Sequence, residues 1–266
     1  MTARAASKTD LVLYGGPASQ PTRSVIWACL LKGLAIELRP NDPEGLEEHN
    51  PKRQMPTLLD GDFALYEMGA ILVYLSEKHG WTDLLPESLE QRAKVHQYLH
   101  FHHTSTRLAT MKLMGPHVTI AFREVIEARD DAADVMQIEL LRAALRDPDV
   151  LGRGRETVSL VCRLLERGFL EDGDGFLCSK RPTIADLAAY EELAQLRPAN
   201  LFDFEAHPHV RAWLERMDAL PFCDAVHRYN EALGDILTEP NTLERFQQAN
   251  VAGLEALRGC GVEVCS

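Results

Sequence analysis

The sequence predicts an α/β domain over residues 1–80, an all-helical domain over residues 89–236, and a tail over 237–266 whose role the residues do not reveal. Three observations carry this reading. Within the first 80 residues, short apolar runs alternate with stretches of helical spacing. An Asp-Gly pair at Asp60-Gly61 separates two of those runs, which is a strong hairpin signal. Past residue 88 the strand signals vanish and long helical patterns take over, the shift that marks a domain boundary.

Leu11 to Tyr14 is a short apolar run closed by Gly15, Gly16 and Pro17, as a buried strand followed by a turn requires. From Ser19 onward Val25, Ile26, Ala28, Cys29 and Leu30 fall at helical spacing, with Pro21 tolerable in a first turn and Gly33 placed to end the helix. Leu34 to Leu38 is a second strand. The segment 40–51 carries three prolines and a glycine, too broken for a long helix, and reads as an exposed connection. Thr57-Leu-Leu59 and Phe63-Ala-Leu65 then flank Asp60-Gly61-Asp62 as an antiparallel pair, and residues 68–78 are helical with Gly80 as the cap. The first domain is therefore βαβ followed by ββα. Beyond the linker at 80–88, helices are predicted over 89–113, 131–146, 156–170 and 184–196. Thr183 and Asp186 form a capping box that fixes the start of the last of these.

Bulk properties narrow the partners. The 266 residues are 45% hydrophobic and 26% charged, ordinary for a folded globular chain, and the net charge of −12 repels nucleic-acid backbones and anionic membranes. Small molecules are the expected partners. The six cysteines form no CxxC pair and read as reduced thiols. Residues 1–10 contain no apolar run able to serve as a signal-peptide core, and Asp10 makes them a poor transit peptide, so a cytoplasmic protein is expected.

Ser19 lies between a strand and a helix, close to the positive end of the helix dipole. It suits two roles: a helix N-cap, or a hydroxyl that donates to a bound thiolate and lowers that thiol's pKa. Met55-Pro56 precedes the hairpin, where a cis X-Pro bond would turn the Met55 N–H and C=O outward toward a peptide ligand. Glu67-Met68 opens the third helix and offers N–H groups to a carboxylate, although an acid at a helix start is also ordinary capping.

His96, His100 and His103 share a helix face that Arg107 continues. His96 and His103 lie about 10.5 Å apart along the axis, too far to share one ion, so the stripe reads as a polar face toward the cleft and no metal is expected. Asp172-Gly173-Asp174-Gly175 lacks the third acid and the terminal glutamate of a calcium loop and reads as a turn. Cys29 sits too far into the first helix to act as a redox cysteine in the Ser19 position.

The order Ser19-Gln-Pro, Asn50-Pro51, Met55-Pro56, Asp60-Gly61-Asp62-Phe63 and Leu65-x-Glu67 resembles the glutathione-binding, thioredoxin-like domain of the glutathione transferases, and 182-PTIADLAAY-190 resembles their helical domain. Within that family, 18-ASQPTR-23 and 95-VHQYLHFHHTSTR-107 are similar to the theta class and to bacterial dichloromethane dehalogenases, which use serine. The resemblance spans about residues 11–235. It implies that glutathione is the co-substrate and Ser19 the residue that stabilises its thiolate. Met55 would be the backbone partner of the cysteinyl part beside a cis Pro56, Glu67 and Met68 would hold the γ-glutamyl end, and Gln54 would lie near the glycine. It further implies a homodimer and a small hydrophobic electrophile as second substrate, met by Arg107 and His103. Two departures stand out. Met68 replaces the usual serine and so offers only its backbone N–H, and the 40–51 segment looks short, leaving Lys52, Arg53 and His49 as the basic residues near the glycine carboxylate. The same scaffold as a non-catalytic binding or assembly module is the alternative reading.

Overall fold

The structure is a computed structural model that describes residues 11–40, 42–121, 150–171, 173 and 175–265. Its first strand, β1 (Leu11–Tyr14), leads into α1 (Gln20–Leu31), which buries Val25, Ile26, Trp27, Ala28 and Cys29 against the sheet and the helical region. Strand β2 (Glu37–Arg39) returns parallel to β1, pairing Val12 with Glu37 and Leu13 with Leu38. The segment expected to be an exposed connection contains a two-turn helix, α2 (Pro43–His49), whose Asp42 cap accepts the Gly45 N–H at 2.8 Å. Pro43 sits at the helix start, where a missing N–H costs nothing, while Pro40 and Pro51 lie outside the helix on either side.

Strands β3 (Thr57–Asp60) and β4 (Phe63–Tyr66) form the hairpin, with Gly61 at φ +58° in the turn, and α3 (Met68–Lys78) follows. Both α1 and α3 pack against each other and against the helical region.

The helix expected over 89–113 is two helices, α4 (Leu89–Thr104) and α5 (Thr106–Ala121), broken at Ser105 with φ −128° and ψ −78°. Thr104, Ser105 and Thr106 are consecutive hydroxyl residues whose side chains compete with the backbone for hydrogen bonds, and the buried Thr106 hydroxyl accepts from Tyr98 at 3.2 Å instead of supporting a continuous helix. The pattern at 131–146 lies outside the described residues. Helix α6 (Val150–Gly168) begins six residues before the pattern at 156–170 and ends two residues short of it, and α7 (Ile184–Leu193) starts where the capping box places it. There Asp186 Oδ2 accepts from the Thr183 N–H at 2.8 Å and from its hydroxyl at 2.9 Å. Asp172 and Asp174 of the expected turn are also outside the described residues. Helices α8 (Pro208–Asp218), α9 (Cys223–Val226) and α10 (Arg228–Leu233) complete this region.

The tail departs from expectation. Residues Leu243–Gly259 form a helix, α11, and Glu263–Val264 a strand, β5, that joins the sheet parallel to β2. The sheet order is β4-β3-β1-β2-β5, so the end of the chain closes the edge of a sheet built by its beginning. A single hydrophobic core runs from Leu13, Leu38 and Leu58 through Ile71 and Leu75 to Leu187, Trp213 and Leu257. Among the described residues no helix is long and apolar enough to cross a membrane.

Candidate functional site

Strand register gathers the site. Tyr14 faces Thr57, and Thr57 faces Tyr66, so one rung of the sheet holds the end of β1, the start of β3 and the end of β4. Neighbouring strands are about 4.8 Å apart. The segments that leave this rung, 15–19, 54–56 and 67–68, therefore emerge side by side, although they are spread over 54 positions of sequence. Because β4 runs parallel to β1, α1 and α3 begin at the same end, and two positive dipole ends meet there.

Gly15 shapes the first segment. Its φ is +146°, and a Cβ there would lie 2.5 Å from Thr22 Oγ1, so only glycine lets the chain turn against α1. Ser19 follows as the N-cap, half-buried and extended, and its Oγ accepts the Thr22 N–H at 3.4 Å. Both readings of Ser19 are compatible with this arrangement, because accepting one long bond leaves the hydroxyl proton free to donate outward.

The second segment is held by Asn50. Its buried side chain donates to the Gln54 carbonyl and to Thr57 Oγ1, both at 2.9 Å, and accepts the Lys52 N–H at 2.9 Å. Gln54 is half-buried with its carbonyl so engaged, while Met55 stands 44% exposed ahead of a cis bond to Pro56.

At the third segment Glu67 has φ +72° and ψ 113°, an uncommon backbone for a residue with a Cβ and one that concentrates at functional sites. Its side chain forms no cap and instead accepts from Lys52 Nζ at 2.8 Å. Met68 is buried in the core, so only its backbone faces the site. Of the three basic residues near the short segment, Lys52 reaches α3, Arg53 pairs with Glu47, and the His49 ring lies 6.0 Å from that of Tyr14.

The helical region meets this end of the sheet at Gln20, the residue after Ser19. Arg107 donates to Gln20 Oε1 at 3.0 Å and to Glu192 Oε1 at 2.9 Å, and Gln20 donates to Gln195 Oε1 at 2.8 Å. Thr110 donates to the other Glu192 oxygen at 2.5 Å. Arg107 thus ties α5 to Gln20, the residue next to Ser19, and to Glu192 of α7. His103 is exposed on α4, and its described contact is the edge of the His102 ring at 5.7 Å, not α1. His102 is buried, and desolvation, with the nearby His103 and Arg107, pulls its pKa down to about 3. Gln20, Glu192 and Gln195 were missed in the sequence. The signal was there in Glu191-Glu192, two adjacent acids in a helix whose only other acid, Asp186, is used by the capping box, since an unpaired buried charge is not tolerated.

Cys29 is buried, and desolvation pushes its thiol up to about 12, away from the thiolate form. Among the described residues the one cluster of three potential metal ligands is Glu37, Glu263 and Cys265, which includes none of the α4 histidines, and Arg39 already pairs with Glu37 at 2.6 Å.

Comparison with known proteins follows the same division of the chain. The family profile for the glutathione S-transferase N-terminal domain matches residues 13–87, and that for the C-terminal domain matches residues 139–216. Rat glutathione S-transferase theta-2 is 30% identical over 82% of this chain and 85% of its own length. The dichloromethane dehalogenase of Methylophilus leisingeri is 31% identical over 79% of this chain and 76% of its own. The structure of human glutathione S-transferase T1-1 superposes with a TM-score of 0.68 at 26% identity, covering 93% of this chain and all of that one. A human theta-class transferase in complex with the glutathione conjugate of 1-menaphthyl sulfate superposes with a TM-score of 0.67 at 28% identity, over 93% of this chain and 98% of that one. The thioredoxin-like first domain, the helical second one and these relatives make one conclusion: the chain belongs to the glutathione transferase family and is a transferase of its theta class.

Proposed function

We propose that the protein conjugates glutathione, bound as its thiolate beside Ser19, to a small electrophile held in the cleft under Arg107. The observation that carries this reading is the convergence of the Ser19 hydroxyl with two helix N-termini at one rung of the sheet. The hydroxyl and the dipole ends stabilise a thiolate over a thiol, which supplies the nucleophile at neutral pH. Its sulfur attacks an electrophilic carbon. The C–S bond forms as the bond to a halide or another leaving group breaks, and that group departs with the electron pair. A peroxide as second substrate fits the same nucleophile. Backbone groups of Met55 and Met68, with Gln54 and Glu67, hold the peptide, and Lys52 brings a positive charge to the α3 end of the site. Arg107 on α5 lines the second-substrate side, and the break at Ser105 interrupts the expected stripe, leaving His103 on α4 as the outer of the two contacts.

The working unit is a homodimer in the cytoplasm. Phe63, 48% exposed on the outer strand and packed on Tyr74, and Leu89, 76% exposed, are apolar surface that a second copy would cover. No metal enters this chemistry.

A thermal-shift titration with glutathione tests the binding half. A ligand that binds only the folded chain raises its stability by about 2.7 kcal/mol at one hundred times Kd, and the melting temperature rises accordingly. An unchanged melting temperature at millimolar glutathione would contradict the proposal and favour a scaffold that has kept the fold without the ligand.

A further inference from the structure

We propose that Arg23, Glu191 and His227 are positioning residues that hold the Pro17–Ser19 loop, and with it the Ser19 hydroxyl, from the helical domain. The inference rests on the proposed role of Ser19. Arg23 stands one helical turn after Ser19 and is fully buried. Its guanidinium divides three ways: Nε donates to Glu191 Oε2 at 2.5 Å, one terminal nitrogen to the Glu191 carbonyl at 3.3 Å, and the other back to the Pro17 carbonyl at 2.7 Å. That carbonyl lies two residues before Ser19 in irregular chain, where β1 has ended and α1 has not begun. The loop is therefore fastened through Arg23 to α7, across 168 positions of sequence.

Glu191 is in turn fixed from its other side. His227 Nε2 lies 2.9 Å from Glu191 Oε1, and Nδ1 lies 2.7 Å from the Cys223 carbonyl. Two acceptors face the two ring nitrogens, an arrangement that favours the protonated ring, and the Cys223 sulfur also lies 3.4 Å from Nδ1. Burial works against that charge, but the Glu191 carboxylate and the hydrogen bonds of Cys223 and Glu191 prevail and raise the pKa to about 9. Trp27 and Tyr190 close over the ring with centroids at 5.1 and 4.8 Å, leaving it one orientation. A lone buried Arg-Glu pair needs its remaining lone pairs satisfied to persist, and His227 supplies the missing donor. The arrangement gives a rigid path from α9 and α10 to the chain segment that presents Ser19. A displacement of this loop by a fraction of an ångström lengthens the hydrogen bond from Ser19 to the thiolate, the kind of misplacement to which reacting geometries are sensitive.

Arg23→Lys in the full chain is the test, because an ammonium reaches one of these acceptors but cannot bridge the Pro17 carbonyl and Glu191 together. The readouts are the apparent pKa of the bound glutathione thiol, followed by ultraviolet thiolate absorbance against pH, and the split between kcat and KM. The thiol pKa is expected to rise by roughly half a unit to one unit. The kcat is expected to fall about threefold to tenfold, with KM for glutathione within about twofold of wild type. Should Arg23→Lys lose cooperative melting, His227→Phe keeps a ring between Trp27 and Tyr190 but removes the donor to Glu191, and is expected to move the thiol pKa in the same direction. An unmoved thiol pKa in a folded variant overturns the proposal even if the melting temperature drops, since a merely structural role moves stability alone. A wild-type chain whose bound thiol titrates like free glutathione is a separate failure: it removes the Ser19 role itself, and this inference with it.

Discussion

At Ser19 one oxygen serves two purposes that compete only weakly. As an N-cap it accepts a 3.4 Å bond from Thr22, which is long for a hydrogen bond and contributes toward the lower end of capping energies. In the proposed role it would donate to the thiolate bound beside it. Ser19→Ala is therefore expected to lower stability by only about 0.5–1 kcal/mol while lowering kcat by about one to three orders of magnitude. Chemical denaturation and steady-state kinetics on the same preparation separate the two effects, and a loss of stability without loss of turnover would assign Ser19 to capping alone. Position between a strand and a helix left this serine either a cap or a donor, and the order of motifs around it pointed to the donor role. Arg23 gave no such signal, because its partners Glu191 and His227 are distant in sequence and its burial is visible only once the two domains are together.

Elements differ in how far local pattern determines them. The β1-α1-β2 and hairpin units were readable because a turn signal bounds each period change, and the capping box marked the first turn of α7. The break at Ser105 was not readable, since apolar spacing continues through it and the competing hydroxyls carry no strong stop signal. Helix α11 was missed for another reason: its buried face includes Ala249 and Gly253, small residues that carry little hydrophobic signal, and Gly253 lies so close to Pro17 that a Cβ would come within 2.8 Å. That contact puts the tail on the loop before Ser19, while β5 pairs with β2 at the opposite edge from the hairpin. Removing residues 243–265 should expose the β2 edge and the surface that α11 now covers, Pro17 and Tyr229 included, lowering the melting temperature by several degrees or more and promoting self-association. Size-exclusion chromatography and thermal melting of the truncated chain check this. An unaltered melt would mean that the tail contributes nothing to the core.

Across the whole molecule, buried histidines set the pH range of stability. His227 folds with its pKa raised to about 9 from 6.5, so its contribution is complete below pH 6.5 and is lost as pH rises through 9. His102 folds with its pKa lowered to about 3 from 6.5, so its contribution is complete above pH 6.5 and is lost as pH falls toward 3. Stability is therefore expected to peak near pH 6.5 and decline on both sides, with His227→Gln flattening the alkaline limb, as urea unfolding at stepped pH would record. The two domains share one core and one polar seam, so the site is assembled only when both are folded. The central claim is that this assembly ionises a bound thiol through Ser19. It is tested most directly by titrating the ultraviolet thiolate absorbance of glutathione bound to the wild-type chain and to Ser19→Ala. The account predicts a thiol pKa at least about one unit below the ordinary value near 8.5 in the wild type, returning toward that value in the variant. Equal thiol pKa values in the two proteins would contradict it.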